Sequence, residues 1–466
     1  MAPLFDPGSF RDRVGRVVVS NERVLRALKT PGWDAWSKLK SCEFFDCEVA
    51  AGRIVRTTET TTDLPDAGDP WIGWLEHERI PFVSYPYEWS FSMLKRAALL
   101  QLELTSTAVE NGLILKDATP YNVQFRGAQP VFIDVASFES HDGGPWEGYR
   151  QFCQQFLYPL MLQAWRGVDF QPWLRGRMNG ITPEECWRLL SSRDLLRSGA
   201  LTHVFLHSKL TASAANRQSN LPSSLQDSGF QKSLVEANLS KLHKIVSRLE
   251  WKAATSYWSE YDRAAPPVLS DAATKEDFIR SVVARQRWKM VWDLGCNFGR
   301  YSRIAADHAD LVLALDVDHL TLDRLYRSLQ DESRQNILPL VFNLADPTPG
   351  LGWRGKERRR LIHRGPPQLI FCLALIHHLV LRENLLLTQV VDWLGDLGAT
   401  VVIEFVDKTD PQAQSLLANR GDQYDDYSEP QFLEAMQSRF LIRDTIPLPS
   451  KTRTLYLAEP LSPRKA

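Results

Sequence analysis

The sequence predicts an α/β protein of two domains, in which the carboxyl-terminal half forms an open sheet of mostly parallel strands. In that half, strand-sized apolar runs alternate with helical patterns, and a glycine turn joins the first such strand to a helix. The chain has 466 residues, which is too long for one average domain. We therefore predict an α+β domain over residues 1–207, a linker over 208–231 and the α/β domain over 232–466.

The glycine turn is the most informative feature of the chain. It follows the apolar residues 290–292 and has the form D-x-G-x-N-x-G. Glycine lets the backbone turn sharply and approach a ligand without an intervening Cβ. The next strand, 310–316, ends in Asp316, about 20 positions after the first glycine of the turn, which is the usual distance to a carboxylate that binds ribose hydroxyls. The pattern predicts a nucleoside cofactor, although Asp316 could instead cap the following helix.

This turn resembles motif I of class I S-adenosylmethionine-dependent methyltransferases, in the variant with asparagine in place of the middle glycine. Dinucleotide-binding loops read G-x-G-x-x-G and bind a pyrophosphate, which S-adenosylmethionine lacks. The resemblance implies a Rossmann-like seven-stranded methyltransferase sheet that is closed by an antiparallel pair over 440–447 and 452–458, with S-adenosylmethionine as cofactor. The cofactor-binding residues it implies are Asp293, Gly295, Asn297, Gly299, Asp316 and, beside the adenine, Asp346.

The fourth strand, within 368–379, resembles motif IV and leads to the face where the methyl group is delivered. The catalytic candidates are His377 and His378, which follow this strand, and Glu404, at the carboxyl end of the fifth strand. A neutral histidine or a carboxylate can accept the proton of an O–H or N–H nucleophile. Each of the three could also be a structural residue. The chain lacks an Asn-Pro-Pro-Tyr or Asp-Pro-Pro-Tyr motif at this place, which argues against amino-group methylation of nucleobases or glutamine.

Two segments leave alternatives open. The aromatic residues Tyr257, Trp258 and Tyr261 precede motif I and could form a lid over the cofactor, as in relatives of this class, or could pack between domains. The basic run 356–360 is expected to be a solvated loop, with a smaller chance that it binds a phosphate or an acidic sugar.

The amino-terminal half contains a second motif. A helical pattern over 93–110 stops at an Asn-Gly pair and is followed by D-x-x-x-x-N, a short hairpin and an Ile-Asp pair. This order resembles the catalytic-loop region of protein kinases and aminoglycoside phosphotransferases. The resemblance implies that Asp117 orients an acceptor hydroxyl, while Asn122 and Asp134 hold magnesium against the phosphates of ATP.

The same region departs from the kinase pattern in three ways. Lys116 precedes Asp117 without the usual His-Arg, Val135-Ala136 stands where Phe-Gly is expected, and a glycine-rich loop is missing before the helix. The ion-paired lysine of the small lobe cannot be assigned either, since Lys38 and Lys40 lie in a helical pattern. We favour a kinase-like scaffold that has lost its chemistry over an active phosphotransferase that uses magnesium and ATP.

Composition restricts the partners. The formal net charge is −1, so we expect no global attraction to nucleic acid or acidic lipid. Six cysteines are scattered without metal-binding spacing, which predicts reduced thiols in a cytoplasmic protein. The apolar runs are too short to span a membrane, and the amino terminus lacks the apolar core of a signal peptide. The oligomeric state cannot be inferred.

Across its length the chain also resembles bacterial methyltransferase-like proteins, including nodulation proteins of the NoeA type. We therefore predict methyl transfer from S-adenosylmethionine to an unidentified acceptor, with a small molecule or a glycan favoured. Two alternatives remain, a bifunctional kinase and methyltransferase, and a non-catalytic scaffold that binds S-adenosylmethionine.

Overall fold

The structure is a computed structural model in which the chain forms two compact units. The first unit comprises residues 1–253 together with 350–358, and the second comprises 254–349 and 359–466. The structure describes residues 5–20, 23–61, 71–209, 228–252, 266–332, 334–418 and 423–461.

The first unit begins with a four-stranded antiparallel sheet. Its strands are β1 (Gly15–Ser20), β2 (Arg23–Leu28), β3 (Thr57–Thr60) and β4 (Gly73–His77), in the order β1-β2-β4-β3. Two helices connect β2 to β3, α1 (Thr30–Lys40) and α2 (Glu43–Ala50).

The predicted helix before the kinase-like motif is present as α3 (Phe91–Glu110). The Ser90 side chain accepts a hydrogen bond from the Met93 amide, which caps the amino terminus, and Gly112, with a φ of 74°, follows the carboxyl terminus. Two small antiparallel pairs follow. They are β5 (Leu113–Leu115) with β8 (Phe138–Ser140), and β6 (Val123–Arg126) with β7 (Gln129–Phe132).

The described residues between 149 and 248 are mainly helical. The helices are α4 (Tyr149–Phe152), α5 (Tyr158–Arg166), α6 (Gln171–Gly176), α7 (Pro183–Leu189) and α8 (Ser228–Arg248), with π-helical turns over Cys153–Leu157 and Ala200–Leu206. Helix α8 packs against α3, and Lys95 Nζ donates to the carbonyls of Ser247 and Leu249 at 2.9 and 2.8 Å. The structure therefore places in the first unit a helix that the sequence-based boundary at residue 232 assigned to the second domain, because its apolar face is buried against α3.

The second unit is built on one seven-stranded sheet. Its strands are β9 (Trp288–Leu294), β10 (Ala309–Asp316), β11 (Ile337–Val341), β12 (Leu369–Cys372), β13 (Thr400–Val406), β14 (Phe440–Pro447) and β15 (Arg453–Pro460). The order is β11-β10-β9-β12-β13-β15-β14; the first five strands are parallel, and β15 is antiparallel to both β13 and β14. The Rossmann-like α/β arrangement predicted for this half is confirmed.

Helices cover the sheet and connect its parallel strands, except between β11 and β12, where the connection has only short 3-10 turns. The helices are α9 (Pro266–Val283), α10 (Arg300–Ala306), α11 (His319–Asp331), α12 (Leu387–Leu397), α13 (Pro411–Leu417) and α14 (Glu429–Arg439). The central strands are almost continuously buried, as expected for parallel strands with helices on both faces. The strand order reverses between β9 and β12, and ligands of open α/β sheets bind outside the carboxyl ends of the strands at such a reversal.

Within the described ranges, the structure contains no helix that is both long and apolar enough to cross a membrane.

Candidate functional site

The loop between β9 and α10 has the backbone conformation that the glycine motif predicts. Gly295, Asn297 and Gly299 have φ angles of 71, 48 and 72°, in the left-handed region that glycine and asparagine tolerate best. A Cβ added to Gly295 would lie 3.3 Å from Leu375 Cδ1, and one added to Gly299 would lie 2.8 Å from Leu325 Cδ1. Backbone conformation and crowding therefore both favour glycine at these two positions.

Asp316 lies beside this loop, at the carboxyl end of β10. Its Oδ2 accepts a hydrogen bond from the Asn297 amide, and its Oδ1 accepts one from the Asp318 amide, each at 2.9 Å. Burial raises the pKa of Asp316, and the two amides oppose that rise by stabilising the charged form. The cap of α11 is supplied by Asp318, which accepts from the amides of Leu320 and Thr321. Capping therefore does not require Asp316, whose carboxylate keeps lone pairs for ribose hydroxyls.

Asp293 lies beneath the glycine loop rather than on its surface. Its side chain is buried, and Ser302 Oγ, on α10, donates a hydrogen bond to it. Burial raises the pKa of Asp293 to about 7, while the hydrogen bond from Ser302 acts in the opposite direction. In this conformation the carboxyl group ties the end of β9 to α10, so it supports the loop from below.

The predicted adenine contact lies on the loop that follows β11. Asp346 is exposed, and the nearby Asn343 Oδ1 accepts a hydrogen bond from the Ala345 amide at 2.9 Å. The same loop begins next to the ribose candidate, since the Phe342 amide donates to the Asp316 carbonyl at 2.7 Å. The structure thus brings the loops after β9, β10 and β11 together at one edge of the sheet.

His377 and His378 begin the turn after β12. Both are buried, with exposed fractions of 0% and 7%, and their rings lie 4.1 Å apart between centroids. Burial lowers the pKa of His378 to about 3 and holds that of His377 well below its usual range. Both rings are therefore neutral at pH 7, and a pKa of about 3 makes His378 a weak proton acceptor. Neither ring nitrogen of His377 has a hydrogen-bond partner among the described residues.

Glu404 lies on β13 as predicted, but its carboxylate is completely buried. It is paired with Lys275 and Arg453, whose side chains are also buried. A carboxylate enclosed in this way is poorly placed to receive a proton from an acceptor molecule.

Tyr301 is a further candidate that the sequence analysis did not identify. It is half-buried near the start of α10. Burial raises the pKa of its phenol, and the negative charges of Glu404 and, to a smaller extent, Asp293 add to the rise. The phenol is therefore close to both carboxylates. The signal in the sequence was its position two residues after the last glycine of the motif.

In the first unit the three kinase-like residues lie near one another. The Asp117 amide donates to Ser137 Oγ at 3.2 Å. The Asn122 carbonyl accepts a hydrogen bond at 2.9 Å from the amide of Ile133, the residue before Asp134. Burial raises the pKa of Asp117, and the charge of Asp134 adds to the rise.

The basic partner in this cluster is Arg26, on β2, which the sequence analysis did not identify. Its Nη1 lies 2.8 Å from Asp134 Oδ1. Lys38 instead donates to Ser140 Oγ at 2.6 Å, and Lys40 pairs with Glu59. In the part of the chain that the structure describes, no three His, Cys, Asp or Glu side chains are arranged to hold a metal ion.

Two further segments were singled out in the sequence, the candidate lid and the basic run 356–360. Tyr257, Trp258 and Tyr261, the candidate lid, lie outside the described residues. The run 356–360 was expected to be solvated, and Lys356, Arg359 and Arg360 are exposed. Arg358, however, is only 7% exposed, because its guanidinium packs over the ring of Tyr121, 5.5 Å from the centroid.

Comparison with known proteins gives one relative over nearly the whole chain. Nodulation protein NoeA of Rhizobium meliloti strain 1021 is 33% identical over 466 residues, which is 97% of this chain and 95% of NoeA. No protein-family model matches the chain.

Solved structures match part of the chain. The N-methyltransferase NodS from Bradyrhizobium japonicum WM9 is 10% identical, with a TM-score of 0.31, over 42% of this chain and 98% of NodS. Magnesium protoporphyrin IX methyltransferase from Synechocystis PCC 6803, with bound S-adenosylhomocysteine, is 15% identical, with a TM-score of 0.30, over 45% of this chain and 89% of that enzyme. The identity and coverage of the NoeA match establish the family, and the chain belongs to the NoeA family of nodulation proteins.

Proposed function

We propose that the protein transfers a methyl group from S-adenosylmethionine to a small molecule or a glycan. The observation that carries this proposal is the contact of Asp316 with the glycine loop, which follows β9, the strand next to the reversal of the sheet order. Crowding at Gly295 and Gly299 fits a loop that must stay free of side chains, and Asp316 offers acceptors for ribose hydroxyls. These residues fit S-adenosylmethionine, which has ribose hydroxyls and no pyrophosphate.

In this proposal each group has a binding or orienting role. The loop 295–299 holds the cofactor against β9, Asp316 binds the ribose and Asp346 contacts the adenine edge. When bound, S-adenosylmethionine supplies an electrophilic methyl group on a positively charged sulfur. The chain must then align the acceptor for in-line displacement and exclude water.

Proton removal from the acceptor would need a polar group that contacts it. His377 is neutral, and neither of its ring nitrogens has a hydrogen-bond partner among the described residues, which favours it over the fully engaged Glu404 for a polar contact with the acceptor. Tyr301 is a further group that could contact the acceptor, because it is half-buried beside Glu404 and Asp293. An acceptor that arrives already deprotonated would need only to be oriented.

The first experiment is isothermal titration with S-adenosylmethionine and S-adenosylhomocysteine. We expect micromolar binding by the wild type, and loss of binding in Gly295→Arg and in Asp316→Ala. The matched control is Asp310→Ala, which changes an exposed carboxylate on the same strand as Asp316. A folded wild-type protein that binds neither compound would refute the methyltransferase proposal. Binding without turnover on any candidate acceptor would favour the scaffold alternative.

The proposal also includes a cytoplasmic location. All six cysteines are free thiols, which agrees with a reducing compartment. Thiol labelling of the protein in intact cells, compared with labelling after lysis, tests this part of the proposal.

A further inference from the structure

A network of buried charges surrounds Glu404 in the second unit. Lys275 Nζ, from α9, lies 2.7 Å from Glu404 Oε1, and Arg453 Nη1, from β15, lies 3.3 Å from the same oxygen. The other oxygen, Oε2, accepts a hydrogen bond from the Ala374 amide at 2.9 Å. Both oxygens of Glu404 are therefore engaged, and the side chain has no exposed surface.

The network is balanced in charge. Arg453 also binds Asp410, with Nε to Oδ2 at 2.8 Å and Nη2 to Oδ1 at 3.0 Å. Two carboxylates, Glu404 and Asp410, thus face two cations, Lys275 and Arg453. The exposed fractions of these four side chains are 0, 3, 7 and 4% in that order. Because an unpaired buried charge is strongly destabilising, removing one member should cost far more than removing a matched pair.

The hydrogen bond from the Ala374 amide to Glu404 connects this network to the candidate cofactor site. Ala374 follows β12 with a φ of 47°, a left-handed conformation that costs an alanine roughly 1–2 kcal/mol. Its neighbour Leu375 packs against the glycine loop, since a Cβ on Gly295 would lie 3.3 Å from Leu375 Cδ1. The loop 373–375 therefore lies between Glu404 and the glycine motif, and His377 follows two residues after it.

We propose that Glu404 is a positioning residue, which holds the Ala374 amide and thereby fixes the loop 373–375 against the glycine loop. Its carboxylate is occupied by Lys275, Arg453 and the amide, so it does not accept the proton of the acceptor. The consequence for methyl transfer rests on the proposed function, whereas the fixed loop conformation does not.

Charge-balanced variants separate two roles of the Glu404 carboxylate, which are to balance the buried positive charge and to accept the Ala374 amide. Glu404→Gln alone leaves an excess positive charge in the interior, and we expect it to destabilise the second unit. Glu404→Gln with Lys275→Met restores the balance and keeps an oxygen for the Ala374 amide. Glu404→Leu with Lys275→Met is also balanced, but it offers that amide no acceptor.

The measurements are hydrogen exchange of the Ala374 amide and the affinity for S-adenosylhomocysteine. We expect the Gln/Met double variant to keep the exchange protection and an affinity within about 3-fold of wild type. We expect the Leu/Met double variant to lose protection by roughly 5- to 30-fold and affinity by a similar factor, because this range corresponds to a lost hydrogen bond of about 1–2 kcal/mol.

Two results would overturn the inference. One is unchanged protection of the Ala374 amide in the Leu/Met variant. The other is a Gln/Met variant that keeps protection and affinity but loses methyl transfer by more than about 100-fold, which would identify Glu404 as the proton acceptor. If the wild type binds no S-adenosylhomocysteine and protection still depends on residue 404, the proposed function fails while the positioning role stands.

Discussion

The Asp316 carboxylate accepts a hydrogen bond from the backbone amide of Asn297 at 2.9 Å, and this contact joins the end of β10 to the loop after β9. Asn297 itself has a φ of 48°. The amides of Gly295 and Cys296 both donate to the Leu315 carbonyl, at 2.8 and 3.1 Å. The candidate ribose acceptor and the glycine loop are thus one hydrogen-bonded assembly, and changing the acid should alter the loop as well.

Asp316→Asn should weaken binding of S-adenosylhomocysteine by about 10- to 100-fold. Each carboxylate oxygen accepts a backbone amide, from Asn297 and Asp318, whereas an asparagine side chain has only one oxygen. One buried amide would lose its acceptor, at a cost of roughly 1–3 kcal/mol. Isothermal titration measures the effect, and Asp310→Asn, whose side chain is 57% exposed, is the matched control. Equal affinities in the two variants would contradict this role for Asp316.

Alanine at three glycines should separate backbone strain from crowding. Gly112, Gly295 and Gly299 have φ angles of 74, 71 and 72°, so an alanine has a similar conformational cost of roughly 1–2 kcal/mol at each position. An added Cβ would have no neighbour within 4 Å at Gly112, but would lie 2.8 Å from Leu325 at Gly299. We expect Gly299→Ala to lower the thermal midpoint of its unit clearly more than Gly112→Ala lowers that of the other unit. Similar losses would mean that Leu325 moves aside without cost.

The sequence reveals the local motifs of the candidate site but not the long-range contacts that support them. The glycine turn and the strand-end acid could be found because each depends on a few neighbouring residues and on strand alternation. The pairing of Lys275 with Glu404, and of Arg26 with Asp134, could not be found, since these residues are far apart in the chain and meet only through packing. The same reason explains why a boundary drawn from composition falls before helix α8, whose packing against α3 the sequence does not reveal.

Asp293 should make the second unit less stable as the pH rises from about 4 to about 7. Its pKa in the folded protein is about 7, raised by burial from an ordinary 3.8, so the folded state retains a proton that the unfolded chain releases in this range. The effect is at most about 1.4 kcal/mol per pH unit for one proton. Asp293→Asn keeps an acceptor for Ser302 and should remove this slope, while the exposed control Asp310→Asn should not.

The measurement is the thermal midpoint of the second unit between pH 4.5 and 8, for the wild type and for Asp293→Asn. The transition of the second unit is identified as the one whose midpoint S-adenosylhomocysteine raises. Above pH 7 the penalty for burying the Asp293 charge is complete, so the midpoint curves of the wild type and of Asp293→Asn should become parallel there. Curves that are parallel over the whole range would show that the buried carboxyl keeps an ordinary pKa.

The ion pair between Arg26 and Asp134 should leave little affinity for magnesium in the first unit. The guanidinium lies 2.8 Å from the carboxylate, with exposed side-chain fractions of 13% and 21%, so Asp134 already has a cationic partner. We expect magnesium to change the affinity of the wild type for ATP by less than about 3-fold. In Arg26→Met the negative charges of Asp117 and Asp134, which already repel each other, would lose that partner, and magnesium should then raise the thermal midpoint of the unit.

The control for this prediction is Arg23→Met, which removes a guanidinium from the same strand, where it pairs with Glu76 at the surface. Its midpoint should not respond to magnesium, because that pair is solvated and distinct from the kinase-like cluster. Isothermal titration with ATP, with and without magnesium, and thermal unfolding of both variants provide the comparison. Magnesium-dependent ATP binding by the wild type that disappears in Asp134→Ala would contradict the prediction, because it would mean that the cation displaces Arg26, and it would favour the bifunctional kinase and methyltransferase.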